Sequence, residues 1–464
     1  MGNHRKLLCG MSALAAGFLL PSPAEAGVTI EDGDTALEVG AQLRIRHQSP
    51  PFPANEDLPR FTNYRARLNL DFQADNGFRI FLQPQKVGVF GDNDTGAAVD
   101  FNRTPANQSL HQAFLDWPLN DQLDLRLGRF EQHLADHRLI GDFRWSNRAR
   151  SFDGGRLRWS AGNHQVSLFA LQLAGEDYGG NAGGPLPVGD ADADQQAYVA
   201  HFRNDALVPA SRLELTYVYD DDLQGTPFSA SRLEHGPGGL PASERHTGGF
   251  FLARTDSGGS FLSPFLGRTL KYPKDPGLYW RLEGYLQRGD MGPSRAGQDI
   301  DAYMAAGYLG YGLGNVPGRP LVWGGVDYLS GDRDASTGDY EAFSTLYSTN
   351  HPYYGYMDYF LISPDANTNG HGLRDAHLSL HLKPAKRLGV WLKGHNFALA
   401  DAPGGTDDAL GNEVDLTVAY KAHPRAVLLL GYSKFFSDDG MHDLGRIESD
   451  EDPNFLYGMV NASF

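Results

Sequence analysis

Asn63-Tyr-Arg-Ala-Arg-Leu-Asn-Leu-Asp-Phe-Gln73 alternates polar and apolar side chains without a break. An extended strand has a period of two. Tyr64, Ala66, Leu68, Leu70 and Phe72 therefore share one face, and Asn63, Arg65, Arg67, Asn69, Asp71 and Gln73 share the other. A strand half-buried in a soluble core alternates in the same way. Recurrence separates the two readings: eighteen such segments run from 37–47 to 454–464. Repeated dyad segments of about ten residues are the signature of an all-β, antiparallel transmembrane β-barrel.

The connections alternate too, between short and long. Ala74-Asp-Asn-Gly77, Pro118-Leu-Asn-Asp121, Ser160-Ala-Gly-Asn163, Pro384-Ala-Lys386 and Ala422-His-Pro424 are short and dense in turn formers. Segments 89–108, 131–151, 175–194 and 331–370 are long and rich in Gly, Asp and Asn. Barrels of the outer-membrane type have short periplasmic turns and longer extracellular loops, which puts both ends of this chain on the turn side. Trp117, Trp159 and Trp280 then fall on the same turn-side rim, where an aromatic belt belongs. Two places resist the pattern. Connection 255–276 falls where a short turn is expected, so either it enters the lumen as a plug or the pairing shifts there. In 425–436, Leu428-Leu-Leu430 is apolar on both faces and leaves the phase open.

His4-Arg-Lys6 precede a short apolar run, 7–20, and then Pro21-Ser-Pro-Ala-Glu-Ala26. This is the layout of a cleaved secretory leader over 1–26, with one barrel domain over 27–464. The apolar run is shorter than the roughly 20 residues of a spanning helix. Cys9 is the one cysteine and lies in the leader, so no disulfide is expected in the exported chain.

Losing 1–26 removes Arg5, Lys6 and Glu25, leaving 38 basic and 56 acidic side chains and a formal charge of −18. That balance argues against nucleic acid as a partner. Charged residues at 21% and a mean hydropathy of −0.41 look soluble. A barrel reconciles this composition with a membrane, because it turns half its side chains away from lipid and satisfies every backbone polar group internally.

Strand by strand, the alternation turns Arg44, Arg46, Arg65, Arg67, Arg79, Arg126, Arg156 and Arg158 inward, with Arg281 further along. Five of the first six strands thus line one wall with arginine. Two readings stand. The guanidinium groups pair with Asp71, Asp116, Asp124, Glu214 and Glu283 and stiffen the barrel, or they form a path for an anionic solute, since the planar fork bonds both oxygens of a carboxylate or phosphate.

Acidic clusters sit in expected loops: Asp92 and Asp94, then Asp190, Asp192 and Asp194, then 220–222, 407–408 and 450–452. None has the spacing and glycine placement of a calcium loop, so no metal is assigned. No zinc-type His-Glu-x-x-His, no Gly-x-Ser-x-Gly elbow and no phosphate loop occurs, and no cofactor or catalytic residue is assigned. His377, His381 and His395 share the lumen phase and read as wall residues.

Two stretches carry a likeness. Gly128-Arg-Phe-Glu-Gln-His-Leu-Ala-Asp-His-Arg-Leu-Ile-Gly-Asp-Phe-Arg-Trp-Ser-Asn-Arg-Ala-Arg-Ser-Phe-Asp-Gly-Gly-Arg-Leu157 and Asn350-His-Pro-Tyr-Tyr-Gly-Tyr-Met-Asp-Tyr-Phe360 resemble the alginate export family of bacterial outer-membrane proteins. The resemblance implies an eighteen-stranded barrel whose electropositive lumen passes a polyuronate. It bears on architecture more than on cargo. In the first stretch Arg129, Arg138, Arg144, Arg148 and Arg150 lie near Asp136, Asp142 and Asp153. Either this loop folds inward and narrows the pore, or it is a self-paired cap on the rim. The aromatics of the second stretch either stack on sugar rings or pack their own loop.

The expectation is an outer-membrane channel passing anionic solutes, foremost an acidic oligo- or polysaccharide, through an arginine-lined lumen. The alternative is an exported or barrel enzyme acting on polysaccharide. Expected partners are outer-membrane lipid and lipopolysaccharide, the anionic saccharide, and periplasmic export or binding proteins.

Overall fold

The computed structural model describes residues 27–49, 60–91, 107–173, 195–222, 243–254, 276–291, 298–314, 316–333, 338–361, 363, 367–447 and 452–464. The expected leader 1–26, nearly all of connection 255–276, and the carboxylates at 92, 94, 190, 192, 194, 450 and 451 lie outside the described residues. Nineteen strands follow in chain order: β1 (Val28–Asp32), β2 (Thr35–Gln48), β3 (Phe61–Ala74), β4 (Arg79–Val89), β5 (Asn107–Pro118), β6 (Leu123–Phe130), β7 (Phe152–Ala161), β8 (His164–Leu173), β9 (Gln195–Asn204), β10 (Ser211–Asp222), β11 (Ser243–Arg254), β12 (Gly277–Met291), β13 (Asp299–Gly312), β14 (Leu321–Leu329), β15 (Leu373–Ala385), β16 (Leu388–Ala398), β17 (Ala409–His423), β18 (Ala426–Ser437) and β19 (Asn454–Ser463).

From β2 to β19 each strand pairs antiparallel with the next, and β19 returns to β2 in the register Tyr457↔Gln48 to Ser463↔Gln42. The sheet is therefore a closed cylinder of eighteen strands, the number read from alternation. β1 is an addition: it folds back on β2 through Gly33 (φ +62°), pairing Val28 with Val39 and Asp32 with Thr35. All five of its residues are exposed, so no buried face announces it in the sequence.

Side chains sort by phase around the ring. On β3, Asn63, Arg65, Arg67, Asn69 and Asp71 are buried while Leu68 is 41% exposed. On β18 the ambiguity resolves with Leu429 inward and Leu428 and Leu430 outward. Trp117 and Trp159 stand on the outer face at the short-turn rim. Connections of four residues or fewer join β3 to β4, β5 to β6, β7 to β8, β15 to β16 and β17 to β18, all at that rim.

At the opposite rim two long connections, 131–151 and the described parts of 330–372, turn back into the cylinder. They bring apolar bulk into a lumen whose wall is polar: Leu139, Ile140 and Trp145 from the first, Phe343, Tyr354 and Phe360 from the second, all nearly inaccessible. A short helix, α1 (Asp439–Asp443), caps the barrel near β17.

Candidate functional site

The inward arginines of β2 and β3 hold the first inserted segment by its backbone. Arg44 Nη1 donates to Arg144 O at 2.8 Å and Trp145 O at 3.2 Å, and its Nη2 donates to Ser146 O at 3.0 Å and Asn147 Oδ1 at 2.8 Å. Arg46 Nη1 donates to Trp145 O at 2.9 Å, with its guanidinium 4.1 Å from the Trp145 ring centroid. Arg65 reaches Ser146 O at 3.4 Å, and Arg67 donates to Arg148 O at 3.1 Å while pairing with Glu131 at 3.0 Å. Carbonyls that no ladder can serve thus find charged donors, which bond more strongly than neutral ones.

The same segment reaches roughly the opposite wall. Arg138 is fully buried; its Nε donates to Glu283 of β12 at 3.1 Å, its Nη2 to Asp327 of β14 at 2.6 Å, and its Nη1 to Tyr354 of the second segment at 2.7 Å. The Tyr353 ring lies under that guanidinium, 3.7 Å to the centroid. Arg281 completes the knot between Glu283, at 2.6 Å, and Asp136, at 3.1 Å. Burial pushes the Asp136 carboxyl up to about 6, Arg281 drawing it back and Glu283 adding to the rise. Arg144 bridges Glu131 at 2.7 Å and Asp142 at 2.8 Å. Burial would raise both carboxyls, yet the Arg144 charge and neighbouring histidines hold them well below the usual carboxylate range. Arg150 donates to Gly141 O, Ser348 O and Tyr347 O, joining the two segments, and Arg148 is half-buried beside them.

Arg129 belongs elsewhere, contrary to its expected place in the loop. It lies within β6, and its phase, three residues from inward Arg126, turns it out. There it pairs with Asp153 of β7 at 2.6 Å, both side chains about one-third exposed. The aromatic stretch 350–360 packs the lumen rather than facing it: Tyr353, Tyr354, Tyr356, Tyr359 and Phe360 are all buried.

Nearer the short-turn rim, the wall arginines form a ladder with carboxylates of neighbouring strands. Arg79 chelates Asp71 at 2.7 and 2.8 Å, and Arg126 chelates Asp116 at 2.6 and 2.7 Å. Arg156 and Arg158 share Asp124 at 2.8 and 2.7 Å. The ladder continues where the sequence reading named no site. Arg203 and Arg212 flank Asp205 at 2.9 and 3.1 Å, and His201 meets Glu214 at 2.8 Å. A cavity of ≈ 190 Å³ opens here, between residues 132–135 of the first segment and the wall, with Arg156, Arg158, Arg203 and Arg212 on its lining. Arg203 and Arg212 obey the same alternation as the others, opposite in phase to Phe202 and Leu213. They sit at strand ends, on either side of the connection that carries Asp205.

Residues 35–173 and 267–452 match the family described as alginate export. The chain belongs to the alginate export family. No curated protein matches it. Among solved structures, Pseudomonas aeruginosa OprD is similar at a TM-score of 0.58 and 12% identity, over 95% of this chain and 97% of that one. Acinetobacter baumannii OccAB1 gives 0.58 and 13%, over 96% and 99%. P. aeruginosa OccK2 (OpdF), solved with glucuronate, gives 0.57 and 11%, over 92% and 98%. This alginate export family barrel is a channel of the bacterial outer membrane. Its short-turn rim faces the periplasm and its long-loop rim the exterior. The anchored segments therefore enter the lumen from the exterior rim, and the arginine cavity opens beside residues 132–135 of the first.

Proposed function

We propose that this channel passes anionic solutes, foremost an acidic oligo- or polysaccharide, along the wall of β4 to β10. The observation that carries the reading is the cavity where Arg156, Arg158, Arg203 and Arg212 converge. Their carboxylate partners support transport rather than oppose it. An isolated cluster of bare guanidinium groups would trap a polyanion, whereas forks already shared with Asp124 and Asp205 release it easily. Conduction needs binding good enough to enter and weak enough to leave. A sugar carboxylate exchanges with a wall carboxylate at each rung and moves on. Arg79 and Arg126 continue the path. Arg44, Arg46, Arg65 and Arg67 serve it indirectly by holding segment 131–151, and Arg138 and Arg281 lock that segment to the far wall.

A barrel of this fold has been solved with glucuronate, a uronic acid, and the arginines bring that chemistry to this chain. We assign 1–26 as the cleaved leader. Export calls for a periplasmic partner that delivers the polymer; uptake calls for a downstream binding protein or a gradient.

The test is reconstitution in a planar bilayer. The reversal potential in a salt gradient should report anion selectivity, and oligouronate should block the current. Arg156→Ala with Arg158→Ala should weaken that block by about 10-fold, the scale of losing a charged hydrogen bond or two. Cation selectivity, or a current indifferent to oligouronate, would sink the reading.

A further inference from the structure

Outside the arginine wall, three adjacent strands turn ligating side chains toward one point. Asp375 and His377 lie two residues apart on β15, and the register sets His395 of β16 opposite His377 and Asp327 of β14 opposite Asp375. The ligand atoms of Asp375, His377 and His395 lie within 4.8 Å of one another, and all three side chains are buried. His395 Nδ1 is 2.8 and 2.9 Å from the Asp375 oxygens, and His377 Nδ1 is 3.8 Å from both Asp375 Oδ2 and Asp327 Oδ2.

Two independent observations point to something missing between them. Neither ring nitrogen of His377 has a hydrogen-bond partner, and His395 Nε2, also without one, stands 3.8 Å from Asp415 Oδ2. Each idle buried polar atom costs about 1–3 kcal/mol. The charge is also unbalanced. Asp327, Asp375, Glu413 and Asp415 are all buried here, with three cations near them, Lys393, Arg138 and Arg281, the last already shared between Glu283 and Asp136. Arg138 also serves Glu283, and the Lys393 ammonium donates to Pro352 O at 3.1 Å and Tyr353 O at 3.2 Å.

We propose that Asp375, His377 and His395 bind a first-row divalent transition metal, zinc being the ion this donor set suits, with Asp327 and Asp415 as flanking carboxylates. Two imidazoles and a carboxylate are borderline donors, poorly matched to calcium or magnesium. Metal–ligand bonds of about 2.1 Å put two ligands of one tetrahedral ion roughly 3.4 Å apart, so ligand atoms lying within 4.8 Å of one another close by up to about 1.4 Å through side-chain rotation. One ion takes a single lone pair from each imidazole, His395 Nδ1 beside Asp375 and one nitrogen of His377; the His395 Nε2–H then faces Asp415, and the ion offsets part of the carboxylate charge. The wall at this point also holds the second inserted segment, through Lys393 on Pro352 and Tyr353 and Glu413 on the Met357 N–H at 2.8 Å. The ion is a clamp behind that segment, separate from the solute path.

The full-length exported chain, stripped with chelator and refolded in detergent with zinc or cobalt, tests this. Heat-modifiable migration identifies the folded fraction. The wild type should retain about one zinc per folded chain after desalting, and its cobalt form should show visible absorption of a low-coordinate nitrogen/oxygen site. His377→Gln and His395→Gln should each lose both signals. His381→Gln, the next inward histidine on β15, should keep them. A folded wild type without stoichiometric metal, or equal loss in His381→Gln, overturns the proposal. If the two glutamine variants fail to fold, the wild-type stoichiometry and cobalt spectrum decide alone, for or against.

Discussion

Arg138 joins two barrel strands and both inserted segments through one guanidinium, with no exposed atom to soften the electrostatics. Removing it leaves Glu283 and Asp327 as buried charges short of a partner, a change that typically costs about 3–5 kcal/mol. Arg138→Met should therefore release segment 131–151 while the barrel stays closed. Limited proteolysis should cut within 131–151 and single-channel conductance should rise; a protected, unaltered channel would show that the segment is held by other contacts. Its neighbours make the docking pH-sensitive in opposite directions. Asp136, raised to about 6 by burial, binds a proton when docked that it lacks when released, so it favours docking increasingly as pH falls from about 6 toward 4. His137, lowered to about 4 by burial and by His133, must stay neutral to dock, so it disfavours docking over nearly the same window, from about 6.5 downward. Each spans about 3 kcal/mol, and they oppose each other. Asp136→Asn leaves the histidine slope alone, and conductance should then rise on acidification from pH 7 to 5; a flat profile in the variant would refute the opposition.

At the scale of elements, the two inserted segments fit each other and the wall with little slack. Gly355 has a φ of +84°, and a Cβ there would meet Glu413 Oε2 at 2.5 Å. Gly355→Ala combines a left-handed backbone with a clash against a buried carboxylate, so the second segment should loosen by about 1–3 kcal/mol. Hydrogen exchange over 350–360 should speed up while exchange in β16 and β17 stays slow; equal exchange in both forms would remove the close fit as a constraint. The length and charge of 131–151 were legible in the sequence, and its inward folding was one of two readings left open. Its seats were not legible, because Arg138 meets Asp327 across 189 residues and Arg44 meets Asn147 across 103. Nothing local encodes such contacts. Tyrosines 353, 354, 356 and 359 illustrate the same limit: their composition suits sugar stacking and core packing equally, and only the burial decides.

For the whole molecule, strand number, phase and the long and short rims were readable because lipid imposes alternation on every strand and closure leaves no edge to hide. β1 escaped because it lies outside that constraint. The cylinder also makes a strong prediction about its seam. Truncation before Asn454 removes the partner of β2, and the shortened chain should lose heat-modifiable migration and all conductance; a folded, conducting truncation would mean that the seam can close through another pair.

The pairing of Gln42–Gln48 with Tyr457–Ser463 joins residues more than four hundred positions apart, and this sets an order of assembly. Until β19 arrives, the sheet carries two open edges, each a template for pairing with another chain. The segments that cross the lumen must find their seats on β2, β3, β12 and β14 as those walls swing together. The arginine grips of Arg44 and Arg138 thus act during construction as well as afterwards: they tie the two halves of an unfinished sheet through its interior and bring its edges within reach of each other.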